Sequence, residues 1–204
     1  MSQAISSVTG ALLVLSACAA SPNPTRNFSM SDAKNTSTTT VDPRRFSSAP
    51  LRNRVRLELN APVADVWALI GNFERYPEYA AGVERVSMST DSDGRCTEYV
   101  CHFRPQEPGA PGVAHREVVR WFEPERGYAS LSAEPNDFGL RSSLTLVSLE
   151  SSGPSTTLVW SQYYDSPDVA PTRSAFDEAL ADIANRLVAR FGGRITQRFV
   201  EAAR

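Results

Sequence analysis

Two hydrophobic periods divide the chain. Between residues 83 and 165, apolar positions recur at every second residue in runs at 83–89, 95–103, 113–122, 127–133, 140–149 and 156–165. That two-residue period predicts half-buried strands. Turn signals separate the runs: Asp93-Gly94, the Pro/Gly-rich 105–112, Glu125-Arg126-Gly127, Pro135-Asn136-Asp137, and Ser151-Ser152-Gly153-Pro154. Six successive strands joined this closely predict an antiparallel meander. Beyond them the period lengthens. Phe176, Leu180, Ile183, Leu187 and Phe191 fall three or four apart, forming one apolar face of a helix. Asp177 and Glu178 near its start and Arg186 and Arg190 near its end suit the helix dipole. Gly192-Gly193 is a stop signal, yet Ile195, Phe199 and Ala202 continue the same face, so the pattern leaves the helix end open.

The meander is preceded by 57–86, LELNAPVADVWALIGNFERYPEYAAGVERV. Leu57 and Leu59 mark a short strand, and Asn60-Ala61-Pro62 leads into a helix, where proline in the first turn is well tolerated. Val63, Val66, Trp67 and Ile70 share one helical face, which ends at Gly71-Asn72. A second short aromatic helix from Phe73 to Tyr79 follows, then Gly82 and a strand with Val83, Val86 and Met88.

This strand, helix, helix, strand phrase resembles the opening of the START/Bet v 1-like superfamily, which includes polyketide cyclase/dehydrase and lipid-transport proteins. The resemblance covers roughly residues 52–200. It implies an α+β helix-grip fold, in which a seven-stranded antiparallel sheet curves around a long C-terminal helix, with two short helices between strands 1 and 2. It further implies a cavity between sheet and helix that holds a small hydrophobic or aromatic ligand, lipid or polyketide-like. A cyclase/dehydrase-type enzyme and an accessory protein-binding domain with a filled cavity are the alternatives. The family has no universal catalytic motif, so the chemistry rests on which side chains face inward.

Composition narrows the partners. A net charge of −2 lacks the basic stripe that nucleic acid requires. No segment approaches the about 20 apolar residues of a membrane span. The apolar run Gly10 to Leu15, followed by Ser16-Ala17-Cys18, looks like a lipoprotein signal over 1–18, with Cys18 as the lipidated residue. This predicts a bacterial cell-envelope lipoprotein, touching membrane only through that anchor. Against it, the segment before Ser7 carries no Lys or Arg. Initiation at Met30 would give a cytoplasmic protein instead. Residues 19–51, rich in Ser, Thr, Asn and Pro, have too little apolar surface to offset ordering entropy and read as a disordered linker ahead of a domain at 52–204.

Strand parity selects the candidate chemistry. On 113–122, Arg116 and Arg120 favour solvent, which turns Val113, His115, Glu117, Val119 and Trp121 inward. His115 and Glu117, about 7 Å apart on one strand face, are the candidate acid/base pair. Tyr99, Cys101 and Phe103 face inward on 95–103, with Leu140, Ser142, Leu144 and Leu146 on 140–149 and Leu158, Trp160, Gln162 and Tyr164 on 156–165. The ligand cavity is thus expected to be lined by Tyr99, Cys101, Phe103, Trp121, Leu144, Trp160, Gln162 and Tyr164, with Phe176 and Leu180 from the helix. Apolar walls with few polar groups suit a small-molecule pocket. Tyr76 and Tyr79, with Asp137 and Phe138 from the 135–139 loop, are candidates for the cavity entrance. Neither a metal nor a cofactor is implied: Cys96, Cys101 and His102 do not match zinc-ligand spacing, and there is no phosphate loop. Cys96 and Cys101, about 16 Å apart along a strand, are not expected to form a disulfide.

Overall fold

The computed structural model describes residues 41–105, 109, 111–134, 136 and 138–202. The predicted signal segment with Cys18, most of the linker, and Asp137 lie outside the described residues.

Strand β1 (Leu51–Leu59) is followed by helix α1 (Val63–Ile70), a 3-10 turn at Phe73–Arg75 and helix α2 (Tyr76–Tyr79). The meander comprises β2 (Val83–Thr90), β3 (Cys96–Phe103), β4 (Val113–Glu123), β5 (Gly127–Ser132), β6 (Ser142–Ser152) and β7 (Ser155–Asp165). Helix α3 (Val169–Phe191) and strand β8 (Gly193–Val200) complete the domain. All strands form one sheet in the order β2-β3-β4-β5-β6-β7-β1-β8, with antiparallel neighbours. The first strand therefore returns to the far side of the meander, and the two short helices bridge the span between β1 and β2. This is the helix-grip architecture, with one strand more than expected.

The additional strand settles where the helix ends. Gly192 and Gly193 have φ of 72° and 105°, a left-handed region that favours glycine. A Cβ on Gly193 would lie 2.0 Å from the Glu58 carbonyl oxygen. The chain leaves the helix there because glycine alone permits so close an approach. Ile195 and Phe199 then pair with β1, opposite Leu57 and Arg54, rather than extending the helical face.

Each face of the sheet carries an apolar cluster. On the inner face, Val55, Leu57, Tyr128, Val147, Leu158 and Trp160 pack under Val66, Leu69, Ile70 and Phe73 and against Leu180, Ile183, Ala184 and Leu187 of α3. A second cluster on the outer face joins Ala129, Leu144, Leu146 and Tyr163 with Trp121, Leu131 and Leu51. Phe46 and Ala49 cover it, so the end of the expected linker packs on the domain. Asp42 caps a 3-10 turn at Pro43–Arg45 just before this contact.

The outer cluster corrects two expected lining residues. Leu144 pairs with Tyr163 and Leu131 on the outer face, as does Leu146 with Ala129. Strand β6 is apolar on both faces because both are buried, so parity has no polar side from which to choose. Trp121 is turned outward by a bulge: the β4–β5 register shifts between Val119 and Trp121, and Phe122 takes the inward position opposite Tyr128. Phe122 accordingly meets the rings of Trp67 at 5.1 Å and Phe73 at 6.1 Å.

Candidate functional site

The inner face has an apolar half and a polar half, set by cross-strand register. Opposed Cα positions place side chains on one face. Val119, Ser130, Thr145, Gln162 and Asn53 thereby form a row across β4, β5, β6, β7 and β1. The next row holds Tyr99, Glu117 and Ser132, with Cys101 and His115 beyond it. His115, Glu117, Ser130, Thr145, Gln162 and Asn53 are all buried.

These side chains converge on the Glu117 carboxylate. Its Oε2 accepts from the Tyr99 hydroxyl at 2.8 Å and from the Ser130 hydroxyl. Its Oε1 lies 3.4 Å from His115 Nε2 and accepts from Thr145 Oγ1 at 3.4 Å. Thr145 Oγ1 is also 3.2 Å from Gln162 Oε1, and His115 Nε2 is 2.9 Å from Ser132 Oγ. At the far end, Asn53 accepts from the Tyr164 hydroxyl at 2.8 Å and donates to the Arg173 carbonyl of α3 at 3.2 Å.

Burial by itself would push the Glu117 carboxyl up, since it penalises the charged form. The hydrogen bond of His115, with its charge when the ring is protonated, and then the hydrogen bonds of Ser130 and Tyr99 outweigh it and hold the group below the ordinary carboxylate range. Glu117 is therefore an anion at neutral pH. Its charge adds to burial in pushing up the Tyr99 phenol and the Cys101 thiol, so both keep their protons. Cys101 is consequently no nucleophile, and both Cys96 and Cys101 are free thiols.

A carboxylate facing Nε2 favours the imidazole tautomer with its hydrogen on that nitrogen. Nδ1 of His115 is buried and has no hydrogen-bond partner among the described residues. In the neutral ring that nitrogen is an open acceptor. Phe138, exposed at the surface, lies against the His115 ring at 4.7 Å and against Phe103 at 5.4 Å. The structure thus joins His115, Glu117, Tyr99 and Gln162 and places Phe103 and Phe138 beside them. Tyr164 stacks on Phe176 at 4.8 Å along the same face.

Tyr76 and Tyr79 are not at a rim. Both are buried, within 5.0 Å of each other and about the Trp160 ring at 6.0 and 6.4 Å. Phe73 stacks on Tyr99 at 4.2 Å and meets Tyr128 edge-on at 4.9 Å. Aromatic side chains fill the half of the interior beneath the short helices, because α2 places two tyrosines on its sheet-facing side. Leu180 packs into this core from α3.

Sequence reasoning missed Asn53, Ser130, Ser132 and Thr145. Short hydroxyl residues occur on both faces of strands, and only the register aligns these into a row. Among the described residues, no group of three or more His, Cys, Asp or Glu side chains could hold a metal. No helix among them is long and apolar enough to cross a membrane.

The sequence pattern of the family described as polyketide cyclase / dehydrase and lipid transport matches residues 51–200. Among solved structures, a START superfamily protein from Mycobacterium smegmatis shares 17% identity at a TM-score of 0.58, covering 70% of this chain and 97% of its own. A Streptomyces aromatase/cyclase shares 15% at 0.55, covering 69% and 93%. A norcoclaurine synthase variant from Thalictrum flavum, in complex with a transition-state analogue, shares 18% at 0.51, covering 71% and 96%. At such identities these likenesses establish the fold alone. A search of curated proteins found no match.

Proposed function

Because the chain belongs to the polyketide cyclase/dehydrase and lipid transport family, we propose that its domain binds a small, largely apolar molecule on the inner face of the sheet. The ligand's polar group faces His115 and Gln162. The observation that carries this reading is the buried His115 Nδ1 without a partner, set in an otherwise satisfied network. A buried polar atom left unpaired costs about 1–3 kcal/mol, and a ligand group would relieve that cost. On this reading the ligand lies along the stretch from His115, against which Phe138 packs, to Tyr164, on which Phe176 stacks.

The same geometry favours an enzymatic second reading. Glu117 fixes the His115 tautomer, and Nδ1 is then placed as a base toward an acidic C–H or O–H of the ligand. Glu117 is a positioning residue in that scheme, since its oxygens already serve the network.

Native mass spectrometry of the full chain purified from its own host tests the binding reading. A co-purifying small molecule is expected, and its loss in His115→Phe would place it at the polar half. A chain that carries no molecule and takes up none from a cell extract would overturn the reading. If the bound molecule is converted, His115→Ala should abolish turnover; retained turnover rules the enzymatic reading out.

A further inference from the structure

The outer face of the sheet, away from the network around Glu117, carries its charge unevenly. We propose that one edge of it, formed by Arg54 and Arg56 of β1 with Arg44 and Arg45 of the covering segment, docks on an anionic phospholipid surface.

Register puts these side chains on one face. Asn53, Val55, Leu57 and Leu59 of β1 are buried on the inner side, so Arg54, Arg56 and Glu58 project outward. Arg54 stands opposite Ser161 of β7 and Phe199 of β8, and Arg56 opposite Val159 and Gln197. Arg54 donates to the Ser161 hydroxyl at 3.0 Å and to the Tyr163 hydroxyl at 3.3 Å, both neutral groups. Tyr163 belongs to the outer apolar cluster on which Phe46 packs. The Arg45 guanidinium lies 5.8 Å from the centre of the Phe46 ring, and Arg44 and Arg45 are both exposed.

Ion pairing sets these four apart. Elsewhere on the outer face charges cancel locally, as in Glu58 with Arg194 of β8, Arg116 with Glu98, and Glu123 with Arg126. Arg44, Arg45, Arg54 and Arg56 form no ion pair among the described residues. Against them stand Asp42, whose carboxylate caps the Arg44 N–H, and the outward Glu150 of β6. The edge thus holds excess positive charge in a chain whose net charge is −2. A field of this kind draws in anionic partners.

A bilayer suits this layout better than a small anion or a nucleic acid. Arg54 and Arg56 stand about 7 Å apart along the strand, and Arg44 and Arg45 lie on a separate segment. The guanidiniums are therefore spread over a surface and do not converge on one point. They are too few for the basic stripe of a nucleic-acid site. Phe199, 36% exposed, projects beside Arg54. An aromatic ring among cations matches the boundary between headgroups and acyl chains. The residues ahead of Val41, which include the expected lipidation residue Cys18, join the domain through the segment that packs on this face.

Vesicle flotation tests this with the full chain carrying Cys18→Ser, so that no lipid on that residue contributes. One vesicle set is phosphatidylcholine alone, and the other contains about one third phosphatidylglycerol. In about 0.1 M salt, where the Debye length is about 10 Å, the chain should float with the anionic vesicles and not with the neutral ones. Arg45→Gln/Arg56→Gln should lower the partition coefficient about twentyfold, at about fivefold for each arginine. Arg85→Gln/Arg104→Gln removes the same charge from exposed positions at the opposite edge of the sheet, and should lower it less than about threefold. Circular dichroism checks that both variants keep the fold. Equal losses in the two variants, equal binding to both vesicle sets, or binding to neither overturns the proposal. Retention on heparin without vesicle binding also overturns it, and assigns the arginines to a soluble polyanion.

Discussion

At the scale of single residues, Glu117 organises the polar half. A carboxylate this deeply buried is tolerated because four donors surround it. Removing it strands those donors in the interior. Glu117→Ala is expected to cost about 3 kcal/mol of stability, read as a lower midpoint in urea unfolding; a loss below about 1 kcal/mol would contradict the network's role. The pH dependence has a definite sign. The folded carboxyl lies below its ordinary range, so the unfolded state binds the proton more readily. Its contribution is present in full above about pH 5 and is lost as pH falls through the lowered folded value. The stability difference between wild type and Glu117→Gln should therefore be flat near neutrality and diminish below about pH 4. A difference that grows on acidification would show the carboxyl to be raised instead.

At the scale of elements, legibility tracked how many faces each element buries. Strands β2 to β7 were readable because turn residues bound each one and most bury only one face fully. Strand β6, buried on both, offers no parity, so the sequence pattern does not distinguish the inner from the outer side of Leu144. Trp121 failed for a different reason: one additional residue at Arg120 inverts the facing of Trp121 and Phe122, and a bulge has no signature in an alternating run. Strand β8 was hidden because Ile195 and Phe199 lie four and eight residues beyond Phe191, a spacing that helix and strand share. The glycine pair was the deciding signal. Gly193→Ala, with φ at 105° and its new methyl against the Glu58 carbonyl, should cost about 2 kcal/mol and deprotect the β8 amides in hydrogen exchange. Unchanged protection of Ile195 to Phe199 would show that β8 does not depend on this crossing. The arginines fit the same layout: Arg190 of α3 and Arg75 both bond Glu78 of α2, holding its carboxyl down to about 2. That clamps the short helices to the long one.

For the whole molecule, packing and polarity divide the work. The aromatic half, Phe73 through Trp160, is closed by mutual ring contacts, each worth about 0.5–1.5 kcal/mol beyond burial. It anchors the short helices, and it holds the other buried polar atoms without partners among the described residues, the Tyr79 and Tyr128 hydroxyls and Trp160 Nε1. Hydrogen bonds tie the polar half from β3 to β7 through Glu117 and Thr145, and a separate pair joins Asn53 of β1 to Tyr164 and to α3. A rigid pole beside apolar walls is what orients a small molecule. His115, Glu117 and Gln162 were legible as inward residues, whereas Thr145, which joins Glu117 to Gln162, and the row through Ser130 required the register of four strands. The central claim is that ligand contacts His115 Nδ1. Nitrogen NMR of the His115 imidazole during titration with 2-naphthol tests it most directly. Nδ1 is expected to shift on binding while Nε2, held by Glu117 and Ser132, changes far less. Saturation of binding with both ring nitrogens unmoved would contradict it.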